Sequence, residues 1–452
     1  MIAVYKRKNA GVKSMTQGSP VKLLLLFALP LMAGNVFQQL YTVMDTAIVG
    51  RALGVQALAA LGTVEWMNWM VLGVIQGITQ GFSILIAQKF GAEEYGEMRK
   101  AVGNACVLAA GCAVVLLLLA QLLTGPAFVI VRAPEEIIPI AGIYLRIIFC
   151  GVPVVMTYNM ASAVLRALGD SKTPLYAMIA ASVTNIALDL LFVLVFGWGV
   201  AGAAIATVLA QLLSAVYCIR IIRRIELLKM SREDFRPESE ICRRMSVLAA
   251  PMAFQNAVIA VGGMIVQIVV NGFGVVFIAG YTATSKLYGM LEVAATSYGY
   301  AMTTYAGQNM GAGDKRRISQ GIRGGLVISM VTSVIITVMM FVFGRWILGC
   351  FIAADAESGE LALDVAFRFL KIMSAFLPVL YVLHITRSCI QGMGNTVIPM
   401  MSGIAEFVMR TGASLVMPML LGENGILFAE VIAWLGADLI LIPGYFWEKR
   451  EI

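Results

Sequence analysis

Apolar runs of about 20 residues recur along the whole length of this chain, and each matches the roughly 30 Å hydrocarbon thickness of a bilayer. With 60% of its 452 residues hydrophobic, 13% charged and a mean hydropathy of +0.86, the chain cannot be an ordinary soluble globule. Gly, Pro and charge breaks divide the runs into twelve spans, at 21–48, 56–86, 100–122, 137–158, 174–196, 199–221, 245–271, 275–305, 319–343, 361–383, 396–419 and 426–447. The fold class expected is therefore an all-α polytopic membrane protein.

Basic residues set the orientation. The inner loops would hold Lys6, Arg7, Lys8 and Lys13, then Lys89, Arg99 and Lys100, then Arg166 and Lys172. They continue with the run from Arg220 to Arg244, then Lys315, Arg316, Arg317 and Arg323, then Arg387, and finally Lys449 and Arg450. The opposite loops offer little beyond Arg51, Arg132 and Arg345. This predicts a multi-pass protein of the cell membrane with both termini cytoplasmic. The first 20 residues have no apolar core and no small-residue cleavage site, so no cleavable signal peptide is expected, and translation could start at Met1 or Met15. The net charge of +7 is scattered between apolar runs, which fits a membrane surface and not nucleic acid. The seven cysteines contain no Cys-x-x-Cys and His384 is the only histidine, so neither a zinc site nor a histidine-based catalytic constellation is expected.

The chain is an internal duplication. Pro30 and Asn35 recur as Pro251 and Asn256, each 221 residues on, and Gln88 recurs as Gln308 after 220. Pro153, Gly169, Asp170 and Pro174 answer to Pro378, Gly394, Asn395 and Pro399, each 225 later. The expected organisation is an N-terminal segment (1–20), a six-helix lobe (21–221), a charged linker (222–243) and a second six-helix lobe (244–452). An even number of spans per copy relates the lobes by an axis along the membrane normal, an arrangement common among transporters. Gly73, Gly77 and Gly81 form a small face suited to close helix packing.

One stretch carries chemistry: Asn185 and Asp189, four apart, lie on one helical face inside an apolar run. A carboxylate there costs about 2.5 to 3.5 kcal/mol on insertion scales, so it should face a partner or water. An amide alone would serve as interhelical glue without that cost. Other charges within spans are Glu65, Glu292, the Glu406/Arg410 pair four apart, Glu430 and Asp438. Glu292 could neutralise a cationic substrate or pair with a basic side chain of another helix, and Glu406 and Arg410 would neutralise each other. Arg410 occupies the repeat position of Asn185. Trp66, Trp69, Tyr288 and 27 methionines would suit a plastic surface for flat cations, or serve as filler.

Two stretches, Pro30 through Gln38-Gln-Leu-Tyr41 to Asp45-Thr-Ala-Ile-Val-Gly50-Arg51, and Arg166-Ala-Leu-Gly169-Asp170-Ser-Lys172-Thr-Pro174, resemble signatures of the multidrug and toxic compound extrusion (MATE) family. The twelve-span duplicated layout extends that resemblance over nearly the whole chain. It implies an exporter of organic cations or other amphiphilic compounds, driven by protons or sodium. DinF-like members carry an Asp on the first helix, an Asn and Asp one turn apart on the fifth and a Thr on the sixth; Asp45, Asn185, Asp189 and Thr207 match. Pro30 matches the proline at which the first helix is proposed to bend. The acidic residue that NorM-like members place on the seventh helix has no counterpart between Pro251 and Gly272.

The reading is a secondary active multidrug exporter that acts as a monomer, with H+ or Na+ as coupling ion and no other cofactor. If sodium couples, the same four side chains, Asp45, Asn185, Asp189 and Thr207, are its ligands. Gln38, Tyr41, Trp66, Tyr288 and Glu292 are candidates for the substrate cavity. An alternative keeps the architecture but moves a lipid-linked saccharide or another metabolite. An enzyme would need a clustered constellation, for which only Asp45 with Asp189 could qualify. No Gly-x-x-x-x-Gly-Lys-Ser/Thr sequence is present for direct use of ATP.

Overall fold

Every backbone N–H and C=O in lipid must be satisfied by the protein itself, and an apolar run of about 20 residues does so as a helix. The computed structural model accordingly describes residues 11–130, 133–350, 352 and 357–451 as a helical chain. The first copy comprises α1 (Pro20–Leu53), α2 (Val55–Gly91), α3 (Tyr95–Ile130), α4 (Ile138–Cys150), α5 (Val152–Ala167), α6 (Lys172–Asp189) and α7 (Gly199–Ile222). The second comprises α8 (Ser239–Val270), α9 (Val275–Gly311), α10 (Lys315–Gly349), α11 (Glu357–Ala375), α12 (Leu377–Met393), α13 (Val397–Leu421) and α14 (Ala429–Glu451). Among the described residues these make twelve helical rods once α4 with α5 and α11 with α12, bent by 46° and 48°, are each taken as one broken rod. Each break lies just ahead of a proline, Pro153 or Pro378, in the first positions of the following half. There the missing N–H costs nothing, while the ring blocks continuation of the preceding turn. Pro30 and Pro251 sit inside α1 and α8, which run on through them.

The helices overrun the spans read from hydropathy. The fourth and tenth, expected at 137–158 and 361–383, continue to Ala167 and Met393. Helix α2 has 37 residues, about 55 Å at 1.5 Å per residue, well beyond a hydrocarbon core of about 30 Å. Basic residues assigned to inner loops, such as Lys89, Arg99, Lys100 and Arg166, therefore lie on the ends of helices. Arg387 departs furthest: it is no loop residue but lies within α12, 9% exposed. Lys6, Arg7, Lys8 and Arg132 lie outside the described residues.

The duplication is written into the backbone. Gly169 and Gly394, 225 apart, both take positive φ, +83° and +104°. At Gly169 a β-carbon would also run into the carbonyl of Lys13, whose N–H donates to the Leu168 carbonyl at 3.0 Å. Asp170 then caps α6, accepting from the N–H groups of Lys172 and Thr173, both at 3.0 Å.

The chain divides into two compact units. The first holds Leu29–Ala253 with the described residues up to Thr16; the second holds Gln17–Ala28 and the chain from Phe254 onward. Two of the three boundaries, at Ala28/Leu29 and Ala253/Phe254, fall inside a helix, α1 and α8, and the third, at Thr16/Gln17, lies ahead of α1. In the first unit Met245, Ala249 and Met252 of α8 join its core, and Gly77 and Gly81 of α2 abut the backbone at Ala253 and Ala249. In the second unit Leu24 of α1 is 1% exposed and lies near Gly325, while the Gly18 carbonyl accepts from the Arg317 guanidinium at 3.0 Å.

The linker between copies is stitched to α3. Buried Asn104 donates to the carbonyls of Lys100 at 2.9 Å and Arg236 at 3.2 Å, and accepts from the Glu238 N–H at 2.8 Å. Gly103 beside it lets the Asp234 carbonyl approach so closely that a β-carbon would overlap it. Gly103→Val should therefore release the linker: cleavage by an added protease between residues 226 and 237 should accelerate several-fold, with the helical content of the rest unchanged.

Candidate cation-coupling site

Helix α6 ends at Asp189, and the next turn, Leu190–Val195, widens to π-helical geometry. A π turn shifts the hydrogen-bond ladder by one residue and is frequent at functional sites. Upstream, Asn185 and Asp189 share one face of α6 and are buried to 1% and 0% exposure. Helix α7 returns antiparallel to α6, held by the Ser214 hydroxyl donating to the Ala177 carbonyl at 2.9 Å. That register sets Thr207 opposite Asn185: the Asn185 amide donates to the Thr207 hydroxyl at 3.4 Å, and the hydroxyl donates to the Ala203 carbonyl at 3.1 Å.

Helix α1 brings Asp45 against the same face. Asp45 is 8% exposed, and its carboxyl lies within hydrogen-bonding reach of the Asp189 carboxyl. Two acid groups 144 residues apart in sequence thus share one interior. Buried acceptors ordinarily find donors. Here Asp45 Oδ1, Asn185 Oδ1 and both oxygens of Asp189 have none from the protein. Such a set of converging buried oxygens has the chemistry to take a proton between the carboxyls, or a hard monovalent cation with the amide and hydroxyl oxygens completing its shell. No group of three or more His, Cys, Asp or Glu is clustered for a metal ion among the described residues.

Two tyrosines border the acid pair. Tyr41, one turn before Asp45, has both aspartates and Gln38 as neighbours. Tyr144 of α4 lies beside Asp45, Tyr41, Asp189 and Glu65. Sequence reasoning missed Tyr144, whose only signal was a phenol in an apolar run. Trp66 is partly buried on α2, and Trp69 is 56% exposed.

The second unit carries different groups. Tyr288 stacks on Trp434, with ring centroids 5.8 Å apart, and Glu292 lies 3.4 Å from the His384 imidazole. Of the two uses open to Glu292, a basic partner on another helix is present. Arg410 stands where the first copy has Asn185, and pairs with Glu406 at 2.9 Å and Glu430 at 2.7 Å. Glu406 also pairs with Arg387 at 2.7 Å. The neutralisation of Glu406 by Arg410 is thus one link in a longer chain of charges, in which Glu430 and Arg387 also take part.

Comparison with known proteins agrees with this architecture. The MatE family matches residues 30–191 and 251–415, one match in each copy. The chain is 31% identical over 414 residues, 91% of each protein, to a protein named probable multidrug resistance protein YpnP in Bacillus subtilis (strain 168). It is 26% identical over 445 residues, 94% of each, to probable multidrug resistance protein YoeA of the same organism. A crystallised MATE protein in complex with MaL6 superimposes with a TM-score of 0.89, covering 98% of both chains at 21% identity. With two family matches in register with its two copies, this chain belongs to the MATE family of membrane transporters.

Proposed function

We propose that this protein is a secondary active exporter of the DinF-like branch, moving organic cations or other amphiphilic small molecules out of the cell in exchange for protons or sodium. The observation that carries the reading is the group of buried oxygens without protein donors on Asp45, Asn185 and Asp189. Relatives named as multidrug resistance proteins support the substrate class. The protein resides in the cell membrane as a monomer with both termini cytoplasmic.

Export proceeds by alternating access. Two like charges in a low-dielectric interior repel, so the pair Asp45/Asp189 takes up a cation, and Asn185 and Thr207 orient it. Loss of that cation restores the repulsion and favours a different packing of α1, with Pro30 as the bend because its ring leaves one backbone carbonyl unbonded. Within the first unit Gln38, Tyr41 and Trp66, and within the second Tyr288 and Glu292, offer substrate the aromatic faces and the carboxylate that a flat cation needs.

Purified protein in vesicles tests this. Outward movement of an ethidium-like dye should rise at least several-fold when a proton or sodium gradient is imposed, with matching counterflow of the same ion. Dye movement indifferent to both gradients would overturn the proposal.

A further inference from the structure

Helices α12, α13 and α14 enclose an ionic network with no counterpart in the first copy. At the 225-residue offset Arg387, Glu406, Glu430 and Asp438 correspond to Ser162, Ala181, Ile205 and Leu213. Arg387 pairs with Glu406, and Arg410 bridges Glu406 and Glu430. Asp438 of α14, 7% exposed, has Arg387 and Glu406 as its charged neighbours but is not ion-paired with Arg387, whose partner is Glu406. The interior therefore holds three carboxyls against two guanidiniums. Guanidinium does not deprotonate in proteins, so one negative charge is left over unless a cation joins. An uncompensated buried charge is among the costliest arrangements a fold can contain.

Two atoms mark where the imbalance falls. Asp438 Oδ1 is buried with no hydrogen-bond donor, and Arg387 Nε is buried with no acceptor. They belong to neighbouring side chains, one an orphan acceptor and the other an orphan donor. The charged groups that bear on Asp438 are Arg387 on α12 and Glu406 on α13; next to Glu406 stand His384 on α12 and Arg410 on α13, and next to Arg410 stands Glu430 on α14. Of these, His384 faces Glu292, and Glu406, Arg410 and Glu430 are committed to one another.

We infer that Asp438 is a proton-binding site of the second unit, separate from the acid pair of the first, with Arg387 as its positioning residue. With Asp438 protonated, the guanidinium stays on Glu406 and Ser402, as it is here at 2.7 and 3.3 Å. With the proton gone, Arg387 turns its Nε–H to the new carboxylate and loosens its hold on Glu406. This inference does not depend on the exporter reading, since it concerns the protonation of one carboxyl.

Infrared difference spectroscopy of the full chain in lipid vesicles, titrated from acid to alkaline pH, reads it directly. A protonated-carboxyl C=O band should disappear in Asp438→Asn and persist in Asp189→Asn. Arg387→Gln removes the cation that favours ionisation, so the same band should survive to about tenfold lower proton concentration or beyond. That second variant carries the test should Asp438→Asn fail to fold. A spectrum unchanged by Asp438→Asn, a band indifferent to Arg387→Gln, or a band displaced by sodium but not by alkali would each overturn it.

Discussion

Asp189→Asn should abolish coupled export while leaving membrane insertion and folding intact. The amide fills the same volume, but it can neither ionise nor share a proton with Asp45, so the exchangeable charge is lost. One charge crossing 100 mV yields about 2.3 kcal/mol and a tenfold proton gradient adds about 1.4. At about 1.4 kcal/mol per decade, one ion can sustain a substrate gradient of several hundredfold. The variant should let that ratio collapse to about one, measured as dye accumulation in vesicles under a fixed ion gradient. Asp45→Asn should do the same, because the two carboxyls act as a unit. Accumulation unchanged in either variant would remove that residue from the mechanism.

Glu406→Ala should be the most destabilising single change in the second unit. Its carboxylate lies between two guanidiniums, 2.7 Å from Arg387 and 2.9 Å from Arg410, with its side chain 6% exposed. Removing one partner of a buried ion pair costs about 3–5 kcal/mol, because the remaining charge is stranded. Arg410 would keep Glu430, but Arg387 would keep only the hydroxyl of Ser402 unless Asp438, with which it makes no hydrogen bond here, ionises to meet it. The loss falls on Arg387, so Glu406→Ala combined with Arg387→Met should recover most of the stability, since an apolar replacement of similar size strands nothing. Thermal unfolding in detergent measures both. A single variant as stable as the parent would refute the network's energetic role.

How much of this was legible in the sequence depends on how local each feature is. Asn185 and Asp189 show their shared face because helix period alone sets it, and the repeat shows because its offsets are arithmetic. The nearness of Asp45 to Asp189 does not show: 144 residues separate them, no local period links α1 to α6, and only tertiary packing brings the carboxyls together. Arg387 was misread for a related reason. Counting basic residues assigns an arginine to the nearest loop, whereas a guanidinium inside α12 is satisfied by a carboxylate on α13 that no local pattern announces. Helix ends were misjudged because hydropathy marks the depth of lipid and not the length of the rod. The breaks at α4/α5 and α11/α12 were visible as prolines, yet equally visible prolines in α1 and α8 break nothing.

Two helices change allegiance part way along. Residues 17–28, which include α1 from Pro20 to Ala28, belong with the second unit, and the start of α8 up to Ala253 belongs with the first. A chain severed in the 222–238 connector would give each fragment an arm belonging to its sister and deprive it of its own. Such reciprocal lending of N-terminal arms is what fusing a domain-swapped homodimer into one gene would leave behind.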